Sequence, residues 1–146
     1  MRKSLLVALT VAALALPNVQ ALAAVTAKKT VPKKKVVTVT QSFTGTPGQA
    51  DRWGEVEVTI VVKKTTTTVV KTKKSTIARR ITAVKVPVFP DHTDRSIFIN
   101  QQALPMLVQE TLQAQSTAIN LVGGATATSY GFAQSLQSAI IKAKAA

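Results

Sequence analysis

The sequence predicts an α+β domain: a small antiparallel β-sheet with two to three helices packed on one face, preceded by a signal peptide and a basic flexible tail. Three observations predict it. Val56, Val58, Ile60 and Val62 alternate with Glu55, Glu57, Thr59 and Val61, the period of a strand with one buried face. After Pro90 the apolar spacing changes from two to that of a helix. The strand-like segments follow one another closely, which favours antiparallel hairpins over parallel crossovers.

The chain has 146 residues. Arg2 and Lys3 precede an apolar run from Leu5 to Leu16, which Pro17 ends. Ala21 and Ala23 supply the small residues that a signal peptidase reads, so residues 1–23 are expected to be a secretory signal cleaved after Ala23. The run is shorter than the roughly 20 apolar residues of a transmembrane helix. Residues 24–35 hold Lys28, Lys29, Lys33, Lys34 and Lys35 around Pro32 and read as a basic flexible tail. Residues 36–146 are expected to form the folded domain.

Within that domain, Val36, Val37, Val39 and Phe43 sit among Thr38, Thr40 and Ser42 as a first strand. Gly45-Thr46-Pro47-Gly48 is a turn. The alternating strand at 55–62 runs into a threonine and lysine segment, which either extends it and turns back through Val69-Val70 or forms an irregular insertion. Residues 77–89 form another strand, with Ile81, Ala83, Lys85 and Pro87 on one parity and Thr82, Val84, Val86 and Val88 on the other. Pro87 and Pro90 are expected to end its pairing. Asp94 or Ser96 caps a short helix through Ile97 and Asn100. Pro105 suits the first turn of a new helix with Leu104, Leu107, Val108, Leu112 and Ala114 as its apolar face. The last helix is expected to start near Thr128 and to bury Phe132, Leu136, Ile140 and Ala143, with Lys142 and Lys144 in its final turn.

The formal charge is +13, and all six acids lie between Asp51 and Glu110. Lysines cluster in the tail and on both sides of Thr65–Thr68. Such clusters attract anionic membranes or cell-wall polymers, or simply keep a hairpin tip solvated. Export argues against nucleic acid as a partner. The absence of cysteine excludes disulfides, iron–sulfur clusters and thiolate metal sites. His92 with Asp91 and Asp94 is a poor transition-metal set, and no metal is expected. No Gly-x-Ser-x-Gly elbow is present, which argues against a hydrolase.

The segment with the most chemistry is Leu121-Val122-Gly123-Gly124-Ala125-Thr126-Ala127-Thr128-Ser129. Two glycines allow a tight turn and close backbone approach to a ligand. A helix starting just after them offers unpaired N–H groups and a positive dipole end to an anion. The stretch fits a phosphate seat centred on Thr126, and equally an ordinary loop leading into a helix cap.

The order of motifs from Trp53-Gly54, through Ser96-Ile-Phe-Ile-Asn100 and Glu110-Thr-Leu112-Gln-Ala114, to Gly124-Ala125-Thr126, Thr128-Ser129 and the last helix resembles the FMN-binding domain family of exported bacterial electron carriers. That family includes the covalently flavinylated subunits of sodium-pumping quinone reductases and related electron-transport complexes. The resemblance covers residues 53 to 146. It implies that Asn120, Gly123, Gly124, Ala125, Thr126, Thr128 and Ser129 bind FMN. It also implies that a flavin transferase moves FMN from FAD onto the Thr126 hydroxyl as a phosphoester. Two positions depart from the family pattern: Asn120 stands where relatives have Asp, and Gly123 where they have Ser or Thr. Asn keeps hydrogen bonding but loses the charge. Trp53 and Tyr130 are candidates for contact with the flavin ring, or for the core.

The expected function is therefore that of an exported, periplasmic or extracytoplasmic FMN-binding electron-transfer domain rather than a stand-alone enzyme. Its partners would be redox proteins or small electron donors and acceptors, a flavin transferase, and an anionic membrane or wall surface. The rival is a flavin-free structural module that binds the envelope through its lysines.

Overall fold

A computed structural model describes residues 33–146. The expected signal peptide, and the expected tail as far as residue 32, lie outside the described residues. Four strands and two helices follow in order: β1 (Lys34–Thr44), β2 (Gly48–Gln49), a 3-10 turn (Asp51–Trp53), β3 (Glu55–Val69), β4 (Lys74–Val88), α1 (Asp94–Ala114) and α2 (Thr126–Ala145). The sheet is antiparallel throughout, and the α+β expectation holds. β3 is its spine. β4 lies along one side, while β1 and then β2 occupy the other.

Period two in β3 decides which face is covered. Val56, Val58, Ile60 and Val62 are buried and meet Leu107 of α1 and Phe132, Leu136, Ala139 and Ala143 of α2. The intervening Glu57, Thr59 and Val61 are only half-buried on the opposite face. Each fully buried apolar side chain contributes roughly 1.5–3 kcal/mol, so this row and the α2 stripe are the main source of stability. In α2, Ala139 takes the fully buried position and Ile140 packs half-buried beside it, one residue from the expected stripe.

Small residues let α2 lie close to the sheet. A Cβ on Gly48 would run into the Gly131 carbonyl oxygen, so two backbones meet where neither has a side chain. Between the end of β1 and the start of β2, the Val58 N–H has no strand partner. Ser135 Oγ accepts it at 2.9 Å, and the Val58 carbonyl takes the Gly45 N–H at 2.8 Å. Ser138 Oγ accepts from the Thr46 N–H at 3.0 Å, and Gln134 Oε1 accepts from the Gln49 N–H at 3.2 Å. The polar edge of α2 therefore supplies the ladder that the broken strand cannot.

Four expectations change in detail, and one open alternative is decided. β1 begins at Lys34, so Lys34 and Lys35 pair with Val69 and Thr68 instead of belonging to a tail. The threonine segment extends β3, and a turn at Val70–Lys73 leads into β4. β4 continues past Pro87 to Val88, because it is an edge strand with an irregular register between Glu57 and Thr59. Both features accommodate the missing N–H. A second shift, between Val61 and Val62, inserts Thr82 into β4 and flips its parity: Ile81 faces the core before it, Val84 and Val86 after it. Finally, α1 is one continuous helix with Pro105 inside it. Pro105 is exposed, so the carbonyl that it leaves unpaired meets water while Ala103 and Leu107 stay buried.

Candidate functional site

β4 exits at Val88, and the chain passes Pro90 before α1 starts. Asn100, on the buried side of α1 and 1% exposed, ties this corner together. Its Nδ2 donates to the Pro90 carbonyl at 2.7 Å, and its Oδ1 accepts from the Thr128 hydroxyl at 2.8 Å. One side chain thereby fixes the end of the sheet, α1 and the first turn of α2 relative to one another.

The two helix N-termini meet there but are finished differently. At α1, Thr93 Oγ1 accepts from the Ser96 N–H at 3.1 Å, a regular side-chain cap. At α2, the capping position is Ala125, which has no oxygen to offer, and no side-chain cap bond exists. The first-turn N–H groups of α2 are thus left for another acceptor. Gly124 enters the turn with φ of +81°, a conformation that a side chain would resist.

Between these termini lies a half-open cavity of about 210 Å³. Gly124, Ala125, Thr126 and Thr128 form one wall, and Thr93, Arg95, Ser96 and Asn100 form the other. Trp53 and Pro90 also line it. Thr126 is exposed, so its hydroxyl is accessible at the start of α2. The Trp53 ring is 39% exposed, with the Arg52 guanidinium 4.9 Å from its centroid and His92 stacked at 6.3 Å. An uncapped helix start, an arginine and several hydroxyls around one opening make a place for an oxyanion.

No protein-family model matches this chain, and no curated protein does. The site must therefore be judged on its own geometry.

Of the seven residues singled out from the sequence, Gly124, Ala125, Thr126 and Thr128 line the cavity. Thr128 does so with its hydroxyl already committed to Asn100. The other three do not line it. Ser129 is fully buried, where its Oγ donates to the Ala125 carbonyl and accepts from the Val122 N–H, which shapes the loop from behind. Gly123 is exposed, with open space around it. Asn120 donates to Glu110 Oε1 at 3.1 Å on the surface, outside the cavity lining. Tyr130 is 55% exposed and does not line the cavity, whereas Trp53 does. α2 starts at Thr126, two residues before its expected start, which puts the Thr126 N–H in the first turn.

Sequence reasoning did not single out Arg95 or Asn100 as site residues. The signal for Asn100 was an amide at a buried helical position, which demands partners. Arg95 carried no such signal: a cation in a first helical turn is unfavourable to the dipole, and only the fold shows that it faces the cavity.

Proposed function

We propose that the chain binds FMN, with the phosphate at the α2 N-terminus beside Thr126, and that it carries electrons between partners. The reading rests on the resemblance to the FMN-binding domain family and on one observation above others. The helix that follows Gly124-Ala125-Thr126 is the uncapped one, and it opens onto the cavity.

The fit can be judged by size. Pockets that bury a whole ligand usually measure about 300–1,000 Å³, and this cavity is smaller. It has room for the phosphate and the adjoining part of the chain, not for the entire cofactor. The ring would lie at the mouth, beside Trp53, where donor and acceptor can reach it. When bound, the flavin supplies the redox chemistry. The protein's own residues do the holding. The free N–H groups of the first turn of α2 and the Arg95 guanidinium would neutralise the phosphate. The Ser96 hydroxyl, which accepts from Thr93 and keeps its own proton free, would add a hydrogen bond, and Asn100 would keep the two helix starts in register.

The two positions that depart from the family pattern, Asn120 and Gly123, lie outside the cavity lining, so neither removes a phosphate contact. Asn120 belongs instead to the surface that a transferase would meet. Esterification would join the Thr126 oxygen to the FMN phosphorus of FAD, with AMP leaving and the hydroxyl proton released. The exposed Thr126 side chain is accessible to such an enzyme.

Co-expression with a flavin transferase tests the reading by gel fluorescence under denaturing conditions. Wild type and Thr126→Ser are expected to fluoresce and Thr126→Ala to stay dark. A dark wild type that also binds no free FMN would refute the flavin reading.

A further inference from the structure

The charge of this protein is sorted along the sheet. Lysines 33–35, Lys63 and Lys64, three lysines between 71 and 74, and Arg79 and Arg80 give ten cations without an acid. The other described residues hold five cations (Arg52, Lys85, Arg95, Lys142 and Lys144) against six acids. All ten sit on the distal half of the β1–β3–β4 sheet, which only the C-terminal end of α2 reaches: Lys64 Nζ donates to the Ala146 carbonyl at 2.7 Å and Arg79 Nη2 to the Lys144 carbonyl at 3.4 Å. There β1 and β4 are exposed over Lys34–Ser42 and Lys74–Arg80.

Pairing shows how the cations are arranged. Val39, Lys64 and Arg79 form one rung, and Thr40, Lys63 and Arg80 the next, pointing to opposite faces. At the far end, Lys34 pairs with Val69 and Val69 with Lys74, and the Val70 N–H donates to the Lys33 carbonyl at 3.0 Å. Both faces and the tip are therefore basic. Among the cations stand apolar side chains in water: Val36 at 59% exposure, Val70 at 57% and Ile77 at 49%, with Val37 and Val39 at 45%.

We propose that this arm docks, tip first, on the surface of an anionic lipid bilayer. The charge selects an anionic partner. The exposed valines select a bilayer over a linear polyanion, because only the bilayer has an apolar layer beneath its charged one. Cations on both faces select the end-on approach: lying flat would leave one face's cations in water, whereas the tip brings Lys33, Lys34, Lys35, Lys71, Lys73 and Lys74, from both faces, to the headgroups together with Val70. A second copy is disfavoured, since two such arms repel. The cavity lies at the opposite end of β3. Fourteen residue steps at about 3.3 Å separate the strand's ends, so the cavity stands about 45 Å from the lipid surface and stays open to partners. The proposal does not depend on what the cavity binds.

Co-sedimentation of the purified exported protein, its first residue checked by N-terminal sequencing, with vesicles tests it, using phosphatidylcholine alone and phosphatidylcholine with phosphatidylglycerol. Binding is expected to the anionic vesicles and to weaken from 50 to 300 mM salt. Lys71→Gln with Lys73→Gln should lower the partition constant about thirtyfold, since each lysine near such a surface contributes about a factor of five. Lys85→Gln with Lys142→Gln, which removes the same charge from the body, should change it less than threefold. Val70→Asn should weaken vesicle binding and leave binding of soluble polyphosphate unchanged. Circular dichroism confirms that each variant is folded. Equal losses in the two double variants, or equal binding to neutral vesicles, would overturn the proposal. Val70→Asn without effect on vesicles would assign the arm to a linear polyanion and overturn it as well.

Discussion

Replacing Asn100 should damage both stability and the candidate site, and the size of the effect can be worked from its two bonds. The Asn100 side chain is 1% exposed and gives Nδ2 to the Pro90 carbonyl at 2.7 Å while taking the Thr128 hydroxyl at 2.8 Å. Asn100→Ala strands a carbonyl and a hydroxyl. A stranded buried group costs about 1–3 kcal/mol. The cavity borders this corner, and water entering from it should soften the penalty, so a loss of about 3 kcal/mol is expected. Urea unfolding should show the midpoint falling with an unchanged slope. Thr128→Val, which removes the hydroxyl at nearly constant volume, should cost about 1–2 kcal/mol in the wild type because it leaves Asn100 Oδ1 unpaired. It should cost almost nothing in the Asn100→Ala background. A double-mutant cycle therefore predicts coupling of about 1 kcal/mol or more. Additive losses would refute the idea that Asn100 holds α1, α2 and the exit of β4 as one unit.

Three further outcomes follow from other contacts. Gly48→Ala should destabilise by about 3 kcal/mol, read as a fall in thermal midpoint, because the added Cβ meets the Gly131 carbonyl of α2 and cannot move aside. Asn120→Asp should raise the flavinylated fraction if the transferase reads a carboxylate there, judged by gel fluorescence. It also replaces a hydrogen bond to Glu110 with like-charge repulsion, so on this exposed surface a stability loss below about 1 kcal/mol is expected, shrinking in acid. N-terminal sequencing of exported protein should begin at Ala24; material that retains Met1 in the membrane fraction would contradict cleavage.

The fold was largely legible because its main signals are local. Alternation at 55–62 fixed the buried face of β3, and the spacing of Phe132, Leu136 and Ala143 marked most of the α2 stripe. What stayed hidden depended on partners distant in sequence. The parity flip at Thr82 arises only when β4 pairs with β3, and no pattern within 77–89 announces it. Pro105 reads as a helix start, because nothing in the sequence says that its side of α1 faces water. Gln115 illustrates the same limit: its side-chain amide accepts from the Ile81 N–H at 2.8 Å and donates to the Ile81 carbonyl at 3.0 Å, finishing the edge of β4. In the site, Gly124 to Thr128 were visible as a short motif. Trp53 and Arg95 reach the cavity from elements far from it in sequence, through the fold alone.

On the proposed reading, the cavity at the α2 N-terminus seats the phosphate of FMN. Fluorescence titration of FMN and of riboflavin, which lacks the phosphate, tests it most directly on protein made without a flavin transferase. The N–H groups of α2 and the Arg95 guanidinium offer charge-assisted bonds that only FMN can accept, each contributing about 1.5–3 kcal/mol. FMN should bind at least tenfold more tightly than riboflavin, and Arg95→Gln should erase most of that difference. Equal affinity for the two flavins, or binding of neither, would contradict the claim.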